Sequence, residues 1–221
     1  IRGLNMATKN ANDGLSMLAV IENATNDVTD MLHRMRELAI QATNDTNGDA
    51  DRIFLQKEVA QLIEEIDRVA DKTTYNDQVV LNGGFTGKSI QVGTKSGDAV
   101  IINIDDINTS SIGTSSGTQV NAITLSSASS AGAALQVITD AIEQVAGDRA
   151  TYGAIQNRLE YTVSNLMNVA EFTTAARSRI EDADFAAESA RLAKAQVLQQ
   201  TGTAMLAQAN ASSQLALSLI R

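Results

Sequence analysis

The sequence predicts a mainly α protein, an elongated antiparallel bundle or coiled-coil rod of long helices with a small β-hairpin region at one end. Three observations carry that expectation. The 221 residues contain no proline, so no proline kink can interrupt a helix. Apolar residues recur at alternating steps of three and four over most of the chain, the spacing of one helical face. Aromatic residues are 3% of the chain, and tryptophan and cysteine are absent. That composition favours helices packed closely through alanine and medium aliphatics over wide pockets with apolar walls.

The first element begins at the N-terminus. Stepping by three and four from Leu4 gives Ala7, Ala11, Gly14, Leu18, Ile21, Thr25, Val28, Leu32, Met35, Ala39 and Ala42. Only Gly14 and Thr25 break the apolar series, and strand alternation cannot produce it. The stretch "QATNDTNGDAD" then supplies the Asn, Asp and Gly residues of a helix–helix loop. A second helix carries Leu55, Val59, Leu62, Ile66 and Val69 and ends near "DKTTYND".

The period then changes. Ser89 to Val92 and Ala99 to Ile104 alternate like strands, and "GTKSGD" between them is rich in turn formers, so a β-hairpin is expected. The stretch "NTSSIGTSSGTQVNAITLSSASSAG" is low-complexity Ser/Thr/Gly, expected to be a loop or small irregular element where nothing demands packing. Helical spacing returns at Ala131. Leu135, Ile138, Ile142 and Val145 open it, Gly147 and Gly153 follow, and Ile155, Leu159, Thr162, Leu166, Val169, Thr173, Ala176 and Ile180 continue it. At 1.5 Å per residue such a helix is roughly 75 Å long and needs the two N-terminal helices as partners. The final segment is amphipathic but rich in Ala and Gln. Val197, Leu198, Met205, Leu206, Leu215, Leu217, Leu219 and Ile220 are its apolar positions, and no earlier segment is left over to cover them. An uncovered amphipathic end marks a surface for another chain.

Several chemistries can be set aside. The net charge of −9 is spread along the chain, which argues against nucleic acid and against an anionic membrane surface. No run of about 18 apolar residues is present, so no membrane span is expected. One histidine and no cysteine cannot make the usual zinc sites or a Ser-His-Asp or Cys-His arrangement, and His33 falls on the polar side of the first helix. Neither "GDADR" nor "NIDDIN" has the spacing of a calcium loop. The stretch "LNGGFTGKS" ends like a phosphate-binding P-loop, but the position six before Lys88 is Asn82 rather than Gly. A strand-like run follows Lys88 where a P-loop needs a helix N-terminus, so a turn is expected, with Lys88 toward solvent. No cofactor, metal or catalytic residue is expected.

Six stretches carry a resemblance. "IRGLNMATKNANDG", "MRELAIQATNDTN", "IDRVADKTTYN", "AIQNRLEYTVSNL", "SRIEDADFAAESARLAKAQVLQQTGTAMLAQAN" and "LALSLIR" occur in order along the chain and resemble the core segments of bacterial flagellin. The likeness spans residues 1–221 and is weakest from about 108 to 130. It implies a structural subunit of the extracellular flagellar filament, exported by the flagellar type III apparatus without a cleaved signal peptide, and no catalysis. Residues 1–176 would form the helical layer called D1, with a hairpin and variable loop at about 83–130, and residues 177–221 the terminal helix of the layer called D0. Family members have a further N-terminal segment that pairs with this terminal helix. The chain, which opens in mid-pattern, is therefore expected to polymerise poorly and to leave its last 40 or so residues uncovered or held by a neighbour. The family's Arg-Glu-Leu motif, here "HRMRELAIQ", implies Arg34 and Leu38, with Glu65 of "EEIDR" beside them, as contacts for subunit assembly and for a host innate immune receptor. Implied partners are other copies of the chain, the export chaperone and hook-associated proteins. A hook-associated junction protein, or a flagellin-like adhesin that binds glycans, is the alternative. The adhesin has little support in three tyrosines and no tryptophan.

Overall fold

The computed structural model describes residues 1–113, 117–182 and 184–218, with side chains described as far as residue 212. It is mainly helical, with two small antiparallel sheets. The elements in order are α1 (Arg2–Thr43), α2 (Asp49–Lys72), β1 (Thr74–Tyr75), β2 (Gln78–Val79), β3 (Lys88–Gln91), β4 (Ala99–Ile102), a 3-10 turn at Val120–Ala122, α3 (Ala128–Glu181) and α4 (Phe185–Ser218). Two compact units are present, Ile1–Glu171 and Phe172–Arg221.

The core of the first unit follows the expected α1 seam. Ala7, Ala11, Gly14, Leu18, Ile21, Thr25, Val28, Leu32, Met35, Ala39 and Ala42 are all buried. Thr25 is tolerated because its hydroxyl donates to the carbonyl of Ile21 at 2.9 Å. A second seam runs beside the first. Met17, Ala24 and Leu38 are buried and Met31 is partly so, each seven residues from the next. One face of α1 thus widens into two because α1 has two helical neighbours. Arg34 of α1 reaches Glu58 of α2, and Arg52 of α2 reaches the carbonyl of Ala42. Likewise Gly14 faces Leu159, and Glu22 binds Arg149. In both pairings the partner's number falls as the α1 number rises, so α2 and α3 both run antiparallel to α1. The seam of α3 stops being buried after Leu166, and Val169 and Ile180 are exposed.

The α2 N-terminus explains "GDADR". Asp51 accepts the Gly48 N–H at 3.1 Å, so an acid of this stretch caps the helix. After α2 comes a hairpin the sequence spacing did not suggest. Its two-residue turn, Asn76-Asp77, has both φ positive, at 50° and 62°, the conformation that matches strand twist. The expected hairpin is β3–β4, paired Lys88 with Ile102 through Gln91 with Ala99. It rests on α1, where the missing side chain of Gly14 leaves room for Ile90, and where Asn10 donates to the Gln91 carbonyl at 3.1 Å. Lys88 is exposed at the first position of β3, its ammonium 5.8 Å from the Phe85 ring centre, so "TGKS" is indeed a turn into a strand.

The Ser/Thr-rich stretch departs from expectation. Ile112, Val120, Ile123 and Leu125 are buried in the core, so packing is demanded of this stretch. The helices also supply its polar anchors. Asp67 of α2 accepts both the N–H and the hydroxyl of buried Thr109 at 2.8 Å, Gln56 accepts the Leu125 N–H at 2.6 Å, and Gln144 of α3 accepts the Gly113 N–H at 3.2 Å. Gly113 has φ +81°, and a Cβ there would stand 3.0 Å from the Val137 carbonyl oxygen. Gly113→Ala is therefore expected to cost about 2 kcal/mol, combining left-handed strain with a backbone contact that cannot yield. Urea unfolding measures it.

Candidate assembly surface

The residues singled out on α1 and α2 separate in the structure. Arg34 lies off both seams and is exposed. Its Nε donates to Glu58 Oε1 and its Nη1 to Glu37 Oε2, each at 2.9 Å. Hydrogen bonds to Glu37 first, then to Glu58, hold its guanidinium even more firmly protonated than usual. Leu38 is not beside it on the surface. It belongs to the second α1 seam and is 1% exposed, so no partner can touch it without unpacking the helix. Glu65 is not beside Arg34 either. It lies seven residues, about 10 Å, further along α2 and binds Arg68 of its own helix at 2.7 Å. That hydrogen bond holds the Glu65 carboxyl below its ordinary range. The antiparallel register sets Glu58 opposite Arg34.

Three exposed apolar residues stand toward the α1–α2 loop, unremarked in the sequence. Ile40 ends the motif on α1, and Ile53 and Phe54 open α2, with the Lys57 ammonium 5.5 Å from the Phe54 ring centre. All three fall off the buried seams, which was the available signal.

In the second unit, every described side chain of α4 is exposed. Val197 is 57%, Leu198 61%, Met205 70% and Leu206 67% accessible. Leu198 and Met205 are seven residues apart and stand nearly one above the other, with Val197 and Leu206 on either flank. Leu215 and Leu217 belong to the helix, but their side chains lie outside the described residues, as do Leu219 and Ile220 altogether. No described helix is long and apolar enough to cross a membrane. Leaving this much apolar surface in water is costly, and association with another helix relieves it.

An antiparallel helical core and a further helix whose described side chains are all exposed have the make-up of a structural subunit. Two family models match, the bacterial flagellin N-terminal helical region over residues 1–86 and the C-terminal helical region over residues 135–220. The chain is 38% identical to a flagellin of Halalkalibacterium halodurans, covering 100% of this chain and 80% of that protein. It is also 38% identical to Flagellin FlaB1 of Treponema pallidum, over 100% of this chain and 81% of that one. Its fold matches the crystal structure of Bacillus cereus flagellin with a TM-score of 0.62 and 31% identity, over 76% of this chain and 94% of that one. The chain belongs to the bacterial flagellin family. It is a structural subunit of the flagellar filament, an extracellular appendage built from copies of such a subunit.

Proposed function

We propose that the subunit joins the filament through two separate surfaces, and that it works by association alone, without catalysis. The carrying observation is the exposure of Val197, Leu198, Met205 and Leu206 on α4, which supports its role as an innermost helix covered by neighbouring copies. The second surface is the charged and apolar patch of Arg34, Glu58, Ile40 and Phe54 on the first unit. On this reading residues 1–176 make the outer helical layer and 177–221 the inner one. The same α4 face is the natural site for an export chaperone before assembly, because it is apolar and open, and the flagellar export apparatus carries the subunit out. Hook-associated proteins cap the same helices at the filament's end. A host innate immune receptor would meet Arg34 and its carboxylate partners, whereas Leu38 contributes by packing beneath them and Glu65 stands apart.

Arg34→Glu tests the second surface. Arg34 is exposed, so the reversal is expected to leave the melting temperature of the subunit nearly unchanged. Elongation of the full-length subunit from filament seeds, followed by light scattering, is expected to slow at least tenfold. Unchanged elongation would remove this patch from the assembly surface.

A further inference from the structure

In the first unit, the exposed Asp105 and the half-buried Asp148, from distant parts of the chain, meet beside Tyr152. Asp148 and Tyr152 stand one turn apart on α3, and Asp105 follows β4 in the segment that crosses between the helices. Tyr152 is fully buried, and its hydroxyl accepts the Asp105 N–H at 3.3 Å. This bond fixes the crossing segment against α3 and brings the Asp105 carboxyl within hydrogen-bonding reach of the Asp148 carboxyl. Asp148 Oδ2 is closed to solvent and receives no hydrogen bond. Ionised carboxylates only accept, so while both are charged the two groups cannot satisfy each other. A buried acceptor without a donor is costly, and a proton held between the two groups supplies the missing donor.

We propose that Asp105 and Asp148 form a proton-binding clamp, in which one shared proton ties the segment after β4 to α3 and its loss loosens that attachment. The neighbouring charges leave the pair to itself. Arg149, next to Asp148, turns to Glu22 of α1 at 2.7 Å. Asp106 of the crossing segment accepts from Asn108 and Ser111, and Asp67 of α2 accepts from Thr109. From α1, Glu22 stands opposite Arg149, the neighbour of Asp148, and the buried residues that follow it, Ala24 and Thr25, are uncharged. Among the described residues, no lysine or arginine ion-pairs with Asp105 or Asp148.

Burial, then the charge of Asp105 and a hydrogen bond with it, pushes the Asp148 carboxyl up to about 6. Burial also holds the Tyr152 hydroxyl protonated well above its ordinary range. The folded chain therefore binds this proton more tightly than the unfolded chain. The clamp's stability is fully present below the usual carboxylate value and is lost as pH rises through about 6. A subunit in an external appendage meets that range directly.

The test uses the whole chain and two variants. In the wild type, the folding constant from urea titrations is expected to rise about tenfold between pH 8 and pH 5, relative to Asp148→Asn. The asparagine gives Asp105 a permanent N–H donor, so that variant is expected to be insensitive over this range and at least as stable as wild type at pH 8. Carboxyl carbon-13 titration by NMR provides a second readout that does not depend on any variant folding. One aspartate is expected to titrate near pH 6, and Asp105→Asn is expected to return it toward the ordinary carboxylate range. Parallel pH profiles for wild type and Asp148→Asn, or ordinary titration of both aspartates, overturn the clamp.

Discussion

Replacing Leu198 and Leu206 together by aspartate in the full-length subunit is expected to abolish filament elongation while leaving the first unit folded. Both leucines are about two-thirds exposed on α4, at 61% and 67%, so neither contributes much to the stability of the isolated subunit. Burying a leucine side chain is worth about 1.5–3 kcal/mol. Two such losses at each subunit contact amount to roughly 3–6 kcal/mol, or a factor on the order of 10² to 10⁴ in the association constant. The charges add a desolvation cost in the same direction. Seeded elongation should show a critical concentration raised at least a hundredfold, while circular dichroism gives an unchanged main melting transition. A variant that elongates normally would show that this face of α4 stays open in the filament. Leu198→Met with Leu206→Met, which keeps apolar volume, should elongate close to wild type.

The contrast between α1 and α4 shows what the sequence made legible. In α1 the steps of three and four from Leu4 marked a seam that is buried from Ala7 to Ala42. That period depends only on one helix and its core, so it can be read from one chain. The second seam, Met17–Ala24–Met31–Leu38, was passed over because its residues sit next to the first seam and look like flank positions. Recognising it requires knowing that α1 has two neighbours, which is a tertiary fact. The same reason accounts for Glu65. The spacing within α2 says which side a glutamate is on, but only the register between α1 and α2 puts Glu58, and not Glu65, against Arg34.

The crossing segment failed for a different reason. Ile112, Val120, Ile123 and Leu125 fit neither a helical nor a strand period, and the Ser/Thr/Gly background concealed them. Their backbone is held instead by single side chains from the helices, among them Asp67, Gln56 and Gln144. Such pairings are 31 to 69 residues apart in sequence and leave no local trace. For α4 the opposite held. Its apolar positions were visible in the sequence, and their described members are exposed in the structure.

Arg52→Ala is expected to be among the most damaging single substitutions in the first unit. Arg52 opens α2 yet is buried, because its guanidinium reaches back across the loop to the end of α1. Its Nε donates to the Ala42 carbonyl at 3.0 Å and its Nη2 to the Asn44 carbonyl at 3.3 Å, while Nη1 stands 3.5 Å from Asp49. The last carbonyls of a helix have no partner within it, and α1 ends without a basic residue in its last turn. One fork of donors therefore closes α1, fixes the loop and sets the register of α2 against α1. Alanine removes the donors, strands the carbonyl of Ala42, whose residue is fully buried, and deletes the apolar stem packed over it. Each stranded acceptor costs about 1–3 kcal/mol, so the total is expected near 3 kcal/mol. Lysine restores the charge but not the fork, and Arg52→Lys is expected to recover less than half of the loss. Urea denaturation at pH 7 separates the three proteins. A change below about 0.5 kcal/mol for the alanine variant, the size of an ordinary surface substitution, would mean that the loop holds its register without the arginine.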